Sequence, residues 1–451
     1  MLSADPEMAA AYGRTSHFCG AAGIDLMEPL TFKGREGSGS PGGRCAYLDE
    51  SLTPKHDWEK FEYYYRVWGR KLYDPEAEPE VGRRYLRSIA GPGALSVEAA
   101  LANSSRITPL ITSAHLTSAS NHAFWAEMTE DIPVVVGVGN YQRLDTPSPK
   151  CFAAVSPLDP ELFSTVIEHT KDVLADRPNP KYSPIEVAQW LEDFSAASRQ
   201  AWAAARIKST SLTSPEFRRI EEDVVIQNSL GTYFAAKMRS SMLFQIFLET
   251  GSAEAGRQAL AQLTKARAEW ARMSDRASKV YKSDIGYGDV PLRRGHWGDR
   301  IPAIDADIAA MKEKLQSPPA SSGSAEAIAR AMRAAAARPI RPAVHCTHVA
   351  DASFHPGKAL HLSLQLPADA AIVASARLHY RHVNQAERWL AVDMQKDHAG
   401  YSAEIPAEYT DSVYPLQYYF ELNNKQKEAW LYPAFNATLS NQPYYAISNR
   451  S

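Results

Sequence analysis

Glu28 closes a short apolar run, Ile24-Asp25-Leu26-Met27, and opens a basic, glycine-rich loop: Lys33-Gly34-Arg35, then Gly37, Gly39, Gly42, Gly43 and Arg44. The run reads as a short buried strand. A carboxylate at the C-terminal end of a parallel strand is placed for acid–base work or for holding a polar ligand. Glycines let a ligand approach the backbone, and Lys33 and Arg35 attract anionic or hydroxyl-rich groups. The G-x-x-x-x-G-K-S/T spacing of a nucleotide phosphate loop is absent, and no helix opens after a G-x-G-x-x-G. A plainer reading stays open beside this one: Glu28 orders a loop, and the basic segment is solvated surface.

Three further stretches gather side chains with chemistry. In His115–Met128, Trp125 offers a face to a sugar ring, while Asn121 and Glu127 suit its hydroxyls, with His115 at the head of the loop. The spacing of His115, His122 and Glu127 matches no closed metal site, so neither a metal nor any other cofactor is expected. In Asp284–Pro302, Tyr287, His296, Trp297 and Arg300 fall between two helical patterns. There Asp299 also reads as a helix cap, with Arg300 paired to an acid. The third stretch is the aromatic content of the C-terminal region: Tyr380, Trp389, Tyr418, Tyr419, Trp430, Tyr432, Tyr444 and Tyr445. Strand alternation puts Tyr418 and Phe420 on one face and Tyr419 on the other. No G-x-S-x-G elbow is present. Glycoside hydrolysis needs two carboxyls about 5–9.5 Å apart. Glu28 is one candidate; the second would come from Glu127, from Asp289, or from chain not present.

The elements that must position these residues change character along the 451 residues. A helical prelude, Glu7–Gly13, precedes the first strand. Asp57–Leu72 reads as a helix whose apolar face is Trp58, Phe61, Tyr65, Trp68 and Leu72, with Trp68 and Arg70 as candidate ligand contacts. Further helices are expected at Glu80–Ser88, Val97–Ala114, around Leu162–Leu174, from Ser183-Pro184-Ile185-Glu186, from Ser214-Pro215-Glu216 to about Glu249, and over Glu254–Val280. Val134–Gly139 is β-like or a buried loop. Ser317–Ser324 has a linker composition. From Ala343 the period switches to two, with strands around His361–Leu366, Arg377–Tyr380, Ala403–Ile405, Leu416–Leu422 and Ala429–Tyr432.

These patterns give a multidomain α+β chain: a partial (β/α)-barrel-like segment over 1–78, an α-helical bundle over 79–316, a linker over 317–342 and an immunoglobulin-like β-sandwich over 343–451. The net charge of −3 and the absence of a basic stripe argue against a nucleic-acid partner. No 18-residue apolar run suggests a membrane span, and no signal peptide is visible, which points to a cytoplasmic address, or to a secreted or periplasmic one if the true N-terminus lies upstream. The four cysteines form no C-x-x-C pair and read as isolated buried thiols.

At Ile24–Gly39, Tyr65–Pro75 and Trp297–Ile304 the chain resembles the C-terminal portion of large bacterial glycoside-hydrolase-like proteins. Those have a catalytic (β/α)₈ barrel, then helices, then a β-sandwich, and the order of elements here is similar over nearly the whole chain. The resemblance implies a carbohydrate ligand, with Glu28 as acid/base or sugar-binding carboxylate, Lys33 and Arg35 on polar or anionic groups, and Trp68 and Trp125 as stacking rings. It also implies that most of a barrel would precede Met1. The rest of a site would then come from the loops at His115–Met128 and Asp284–Arg300 or from upstream barrel chain, and a homo-oligomer is a further expected partner. Two alternatives stand beside an enzyme: a non-catalytic carbohydrate-binding or assembly protein, and a truncated product without activity.

Overall fold

The computed structural model describes residues 4–25, 46–115, 132–138, 150–283, 285–286, 294–341, 346–366, 373–398 and 400–449. The chain is a mixed α+β protein in two compact units. The first comprises residues 1–174 and 182–339, and the second residues 175–181 and 340–451.

The first unit is helical. Asp5 caps α1 (Pro6–Phe18) by accepting from the Glu7 amide, with Pro6 at the first helical position. Ile24 and Asp25, the described part of the expected first strand, are coil, and Ile24 is exposed. A 3₁₀ turn, Asp57–Phe61, runs into α2 (Glu62–Tyr73), followed by α3 (Glu80–Ala90) and α4 (Ala94–Ala114). A Cβ at Gly13 would meet the Lys71 carbonyl, so glycine there lets α1 lie against α2. One buried cluster joins Phe61, Tyr64, Val67 and Trp68 to Leu86, Val97, Leu101, Trp202, Phe217 and Val224.

The remaining helices of this unit are α5 (Val166–Leu174), α6 (Pro184–Lys208), α7 (Pro215–Thr250), α8 (Ala253–Ala277), α9 (Ile301–Gln316) and α10 (Ala325–Ala336). α6 starts as its sequence signals: Ser183 accepts from the Glu186 amide at 3.1 Å, and Glu186 takes the Ser183 amide at 2.8 Å. Ser183→Ala removes one half of this reciprocal cap and should lower stability by about 1 kcal/mol. A thermal melt checks this: an unchanged midpoint would show the cap to be idle. α7 ends on Gly251 in the left-handed region, φ 70°, where its amide binds the Phe247 carbonyl. From Leu230 to Phe247 this helix is buried almost all round, even at Lys237 and Arg239, so it is the axis of the unit. Val134 and Val135 lie in a buried loop rather than a strand. A two-residue hairpin, β1 (Ile285–Gly286) with β2 (Arg294–Gly295), precedes α9.

The second unit carries β3 (Ser353–Phe354), β4 (Leu360–Gln365), β5 (Ser375–His382), β6 (Leu390–Asp393), β7 (Gln395–Lys396), β8 (Gly400–Ile405), β9 (Leu416–Asn423), β10 (Ala429–Tyr432) and β11 (Tyr445–Asn449), with a short helix α11 (Ala407–Thr410). β5 pairs antiparallel with β9 from Ser375↔Asn423 to His382↔Leu416. β6 extends the β5 edge, β10 and β11 share the other edge of β9, and β3 joins β11 in parallel. β4, β8 and β7 form a separate sheet. Alternation sends Leu360, Leu362, Leu364, Tyr401 and Ile405 of that sheet into one core with Leu378, Tyr418, Phe420 and Leu422 of the other. Tyr419 faces the opposite way, stacked on His379 with centroids 4.7 Å apart.

Candidate functional site

A small pocket lies in the first unit, about 390 Å³ including the solvent at its mouth. Its lining comes from the Asp57–Phe61 turn, α2, α3, α4 and the first turns of α7. Glu216, Arg219, Ile220 and Asp223 follow i, i+3, i+4, i+7 spacing, which puts all four on one face of α7. Glu59, Lys60 and Phe61 face them from the 3₁₀ turn, and Tyr63, Tyr64 and Tyr85 add ring walls.

The floor is an ion pair among tyrosines. Lys60 Nζ lies 3.4 Å from Asp223 Oδ1, with side-chain exposures of 9% and 18%. The Tyr281 hydroxyl donates to the same oxygen at 3.4 Å. Tyr281 stacks on Tyr47, centroids 5.2 Å apart, and Lys60 Nζ sits 5.4 Å from the Tyr47 ring centre and 5.8 Å from that of Tyr281. Burial works to strip the proton from Lys60, but the Asp223 charge and Tyr47 outweigh it and hold the ammonium above the ordinary lysine range. Burial raises the Tyr281 and Tyr47 hydroxyls, so both stay protonated. Burial, helped by Glu62, pushes Tyr85 up to about 12. Arg219 spans the Leu52 carbonyl at 3.0 Å and Glu216 at 3.4 Å.

Of the site residues expected from sequence, Glu28, Lys33, Arg35, Asn121, Trp125, Glu127 and Tyr287 lie outside the described residues. Trp68 is 4% exposed and packs against Tyr12 and Tyr64, so it has no free face for a sugar ring. Arg70 is half-exposed, 3.9 Å from Asp74 on its own helix. His296 and Trp297 are buried in the turn that opens α9, with Arg300 half-buried beside them. His296 Nδ1 accepts from the Gly298 amide, and Asp299 takes the His296 amide at 2.7 Å, a reciprocal cap. The Trp297 carbonyl accepts from Trp270 Nε1 at 2.8 Å, and its ring packs on Tyr281. This group therefore supports the pocket from behind, through Tyr281, rather than lining it. Cys151 is buried as expected, but Cys19 is exposed.

His115 sits elsewhere, at the end of α4. It is 1% exposed, stacked on Phe152, and neither ring nitrogen has a hydrogen-bond partner among the described residues. Lys237 approaches the same Phe152 ring, 5.3 Å from its centre. Asp307 of α9 accepts the Val134 and Val135 amides at 2.8 and 2.9 Å. Burial raises this acid, opposed by Lys237 and the two amides.

Sequence reasoning missed Lys60, Asp223, Tyr47, Tyr281 and Arg219. The only local signal is the spacing of Glu216, Arg219 and Asp223 on one face of α7. Among the described residues, no three His, Cys, Asp or Glu side chains are placed to hold a metal ion, and no helix is long and apolar enough to cross a membrane.

No protein-family model matches the chain, and no curated protein matches it. Among solved structures, the chain is similar to a GH138 enzyme targeting pectin rhamnogalacturonan II, at 12% identity and a TM-score of 0.49. The match covers 60% of this chain and 40% of that one.

Proposed function

We propose that this chain is a carbohydrate-active, glycoside-hydrolase-like protein that acts on or binds a poly- or oligosaccharide, with the Lys60–Asp223 cleft as one wall of its site. The observation that carries the reading is the make-up of that cleft. Tyr85, partly exposed, supplies ring surface, and Glu59 and Glu216 supply acceptors for hydroxyls. In this reading residues 343–451 are an immunoglobulin-like sandwich. Glu28, Lys33 and Arg35 complete the site, with Asn121, Trp125, Glu127 and Tyr287 on neighbouring loops.

A specific observation favours binding without hydrolysis. Asp223 is tied to Lys60 and Tyr281, and Glu216 to Arg219, so neither is a carboxyl held ready to give up a proton. Hydrolysis would then rest on Glu28. The test screens aryl-glycosides and oligosaccharides with wild type and Glu28→Gln. If Glu28 is the acid/base, the variant loses turnover by about 100-fold or more. Equal turnover in both removes Glu28 from the chemistry. Sugar binding without turnover in either leaves the non-catalytic reading. Neither binding nor turnover ends the carbohydrate reading.

A further inference from the structure

The Asp57–Phe61 turn does something its sequence pattern does not announce. Trp58 belongs to the apolar set of the expected helix, yet it is 48% exposed, while Phe61, three residues on, is 2% exposed. Trp58 lies in the 3₁₀ turn, ahead of the helix that begins at Glu62 and packs its face into the core. The ring has an aromatic neighbour. It lies parallel to His56, 5° between planes and 6.1 Å between centroids. The turn beneath it is fixed twice: the Glu59 amide donates to the His56 carbonyl at 3.0 Å, and Glu59 Oε2 accepts the Lys55 amide at 2.9 Å. The next three residues, Glu59, Lys60 and Phe61, line the cleft.

We propose that Trp58, backed by His56, is a platform at the edge of the Lys60–Asp223 cleft that takes the apolar face of a neutral pyranose ring. The inference rests on the carbohydrate reading above and specifies its ligand. A pyranose presents C–H groups on one face and hydroxyls at its edge. An exposed indole on a rigid turn suits the face, and the nearby carboxylates and tyrosine hydroxyls suit the edge. Among the described residues of the cleft, the charge balance selects against an acid sugar. Three carboxylates line the cleft, Glu59, Glu216 and Asp223, against two cations. Both cations are engaged already, Lys60 by Asp223 and Arg219 by Glu216 and the Leu52 carbonyl. A uronate would meet net negative charge and no uncommitted partner in the cleft.

Affinity electrophoresis of the full chain tests this, in native gels cast with xylan, galactan, glucomannan or polygalacturonate. Wild type should be retarded in at least one neutral gel and run freely in polygalacturonate. Trp58→Ala should weaken retardation about tenfold, and Trp58→Phe should keep part of it. Trp389→Ala, in the second unit, should match wild type. Because Trp58 is exposed, the variants should melt with wild type, which separates loss of binding from loss of fold. Retardation of Trp58→Ala equal to wild type would overturn the platform and leave the carbohydrate reading standing. Stronger retardation by polygalacturonate would overturn the neutral-sugar assignment. No retardation of wild type in any gel would overturn the platform together with the reading it rests on.

Discussion

Asp223→Ala should destabilise the helical unit by about 3 kcal/mol, far more than an exposed ion pair could. The reason lies in what is left behind. Without Asp223, the Lys60 ammonium stays buried against Tyr47, Phe61 and Tyr281 with no counter-charge, at 9% side-chain exposure. Ring faces offset part of that desolvation but not all of it. Lys60→Met leaves a lesser problem, because Asp223 is more exposed and keeps the Tyr281 hydroxyl, so a loss of about 1 kcal/mol is expected. Replacing both, Lys60→Met with Asp223→Leu, should recover most of the stability, since buried ion pairs gain little net energy over well-packed apolar groups. Urea denaturation followed by fluorescence checks the series, and the order matters more than the values. If Asp223→Ala costs no more than Lys60→Met, the lysine finds other stabilisation and the pair is not what holds the cleft floor together. The double variant also separates fold from function. It should stay folded yet lose sugar binding, because the cleft loses the ion pair of its floor.

The same cluster shows why parts of this molecule are readable from sequence and parts are not. Helix starts are local chemistry: Ser183-Pro184-Ile185-Glu186 and Ser214-Pro215 carry their own capping groups, and both helices begin there. Strand alternation is local as well, and it places Tyr418 and Tyr419 on opposite faces as the pattern says. Lys60 is different. In sequence it looks like the solvated position of an amphipathic turn, and only the distant Asp223, Tyr47 and Tyr281 make it a buried cation. Trp58 fails in the opposite sense. A period of 3.6 carried back from the helix puts it inside, but the α-helix begins only at Glu62, and Trp58 stands half-exposed in the turn before it. α7 has no polar face to betray it because packing surrounds it, so Lys237 and Arg239 give no hint of burial. His296, Trp297 and Trp68 have the residue types of a binding site and the positions of caps and core.

His115 gives the second large effect, and its sign follows from its isolation. Burial alone pushes its imidazole down to about 4 from an ordinary value of 6.5. In the unfolded chain the ring takes a proton as pH falls through 6.5, whereas in the fold it cannot do so until about pH 4. Its contribution to stability is therefore complete above pH 6.5 and is lost between 6.5 and 4, by on the order of 3 kcal/mol in all. Burial also lowers His296 and His348, so they add to the loss in the same direction, and the decisive quantity is the difference between wild type and His115→Leu. At pH 7.5 the leucine variant should be more stable by about 1 kcal/mol, because it removes two buried ring nitrogens that lack partners among the described residues. Toward pH 4.5 its advantage should widen. Unfolding free energies at several pH values, by urea titration, measure both. Parallel curves for the two proteins would mean that His115 takes its proton within the fold, on an acceptor outside the described residues. Such an acceptor would return His115 to the ligand-contacting role that its place at the head of the His115–Met128 loop first suggested. A widening gap fixes it instead as a neutral packing ring against Phe152, which takes histidine out of the sugar site and leaves that site to the carboxylates and rings of the cleft.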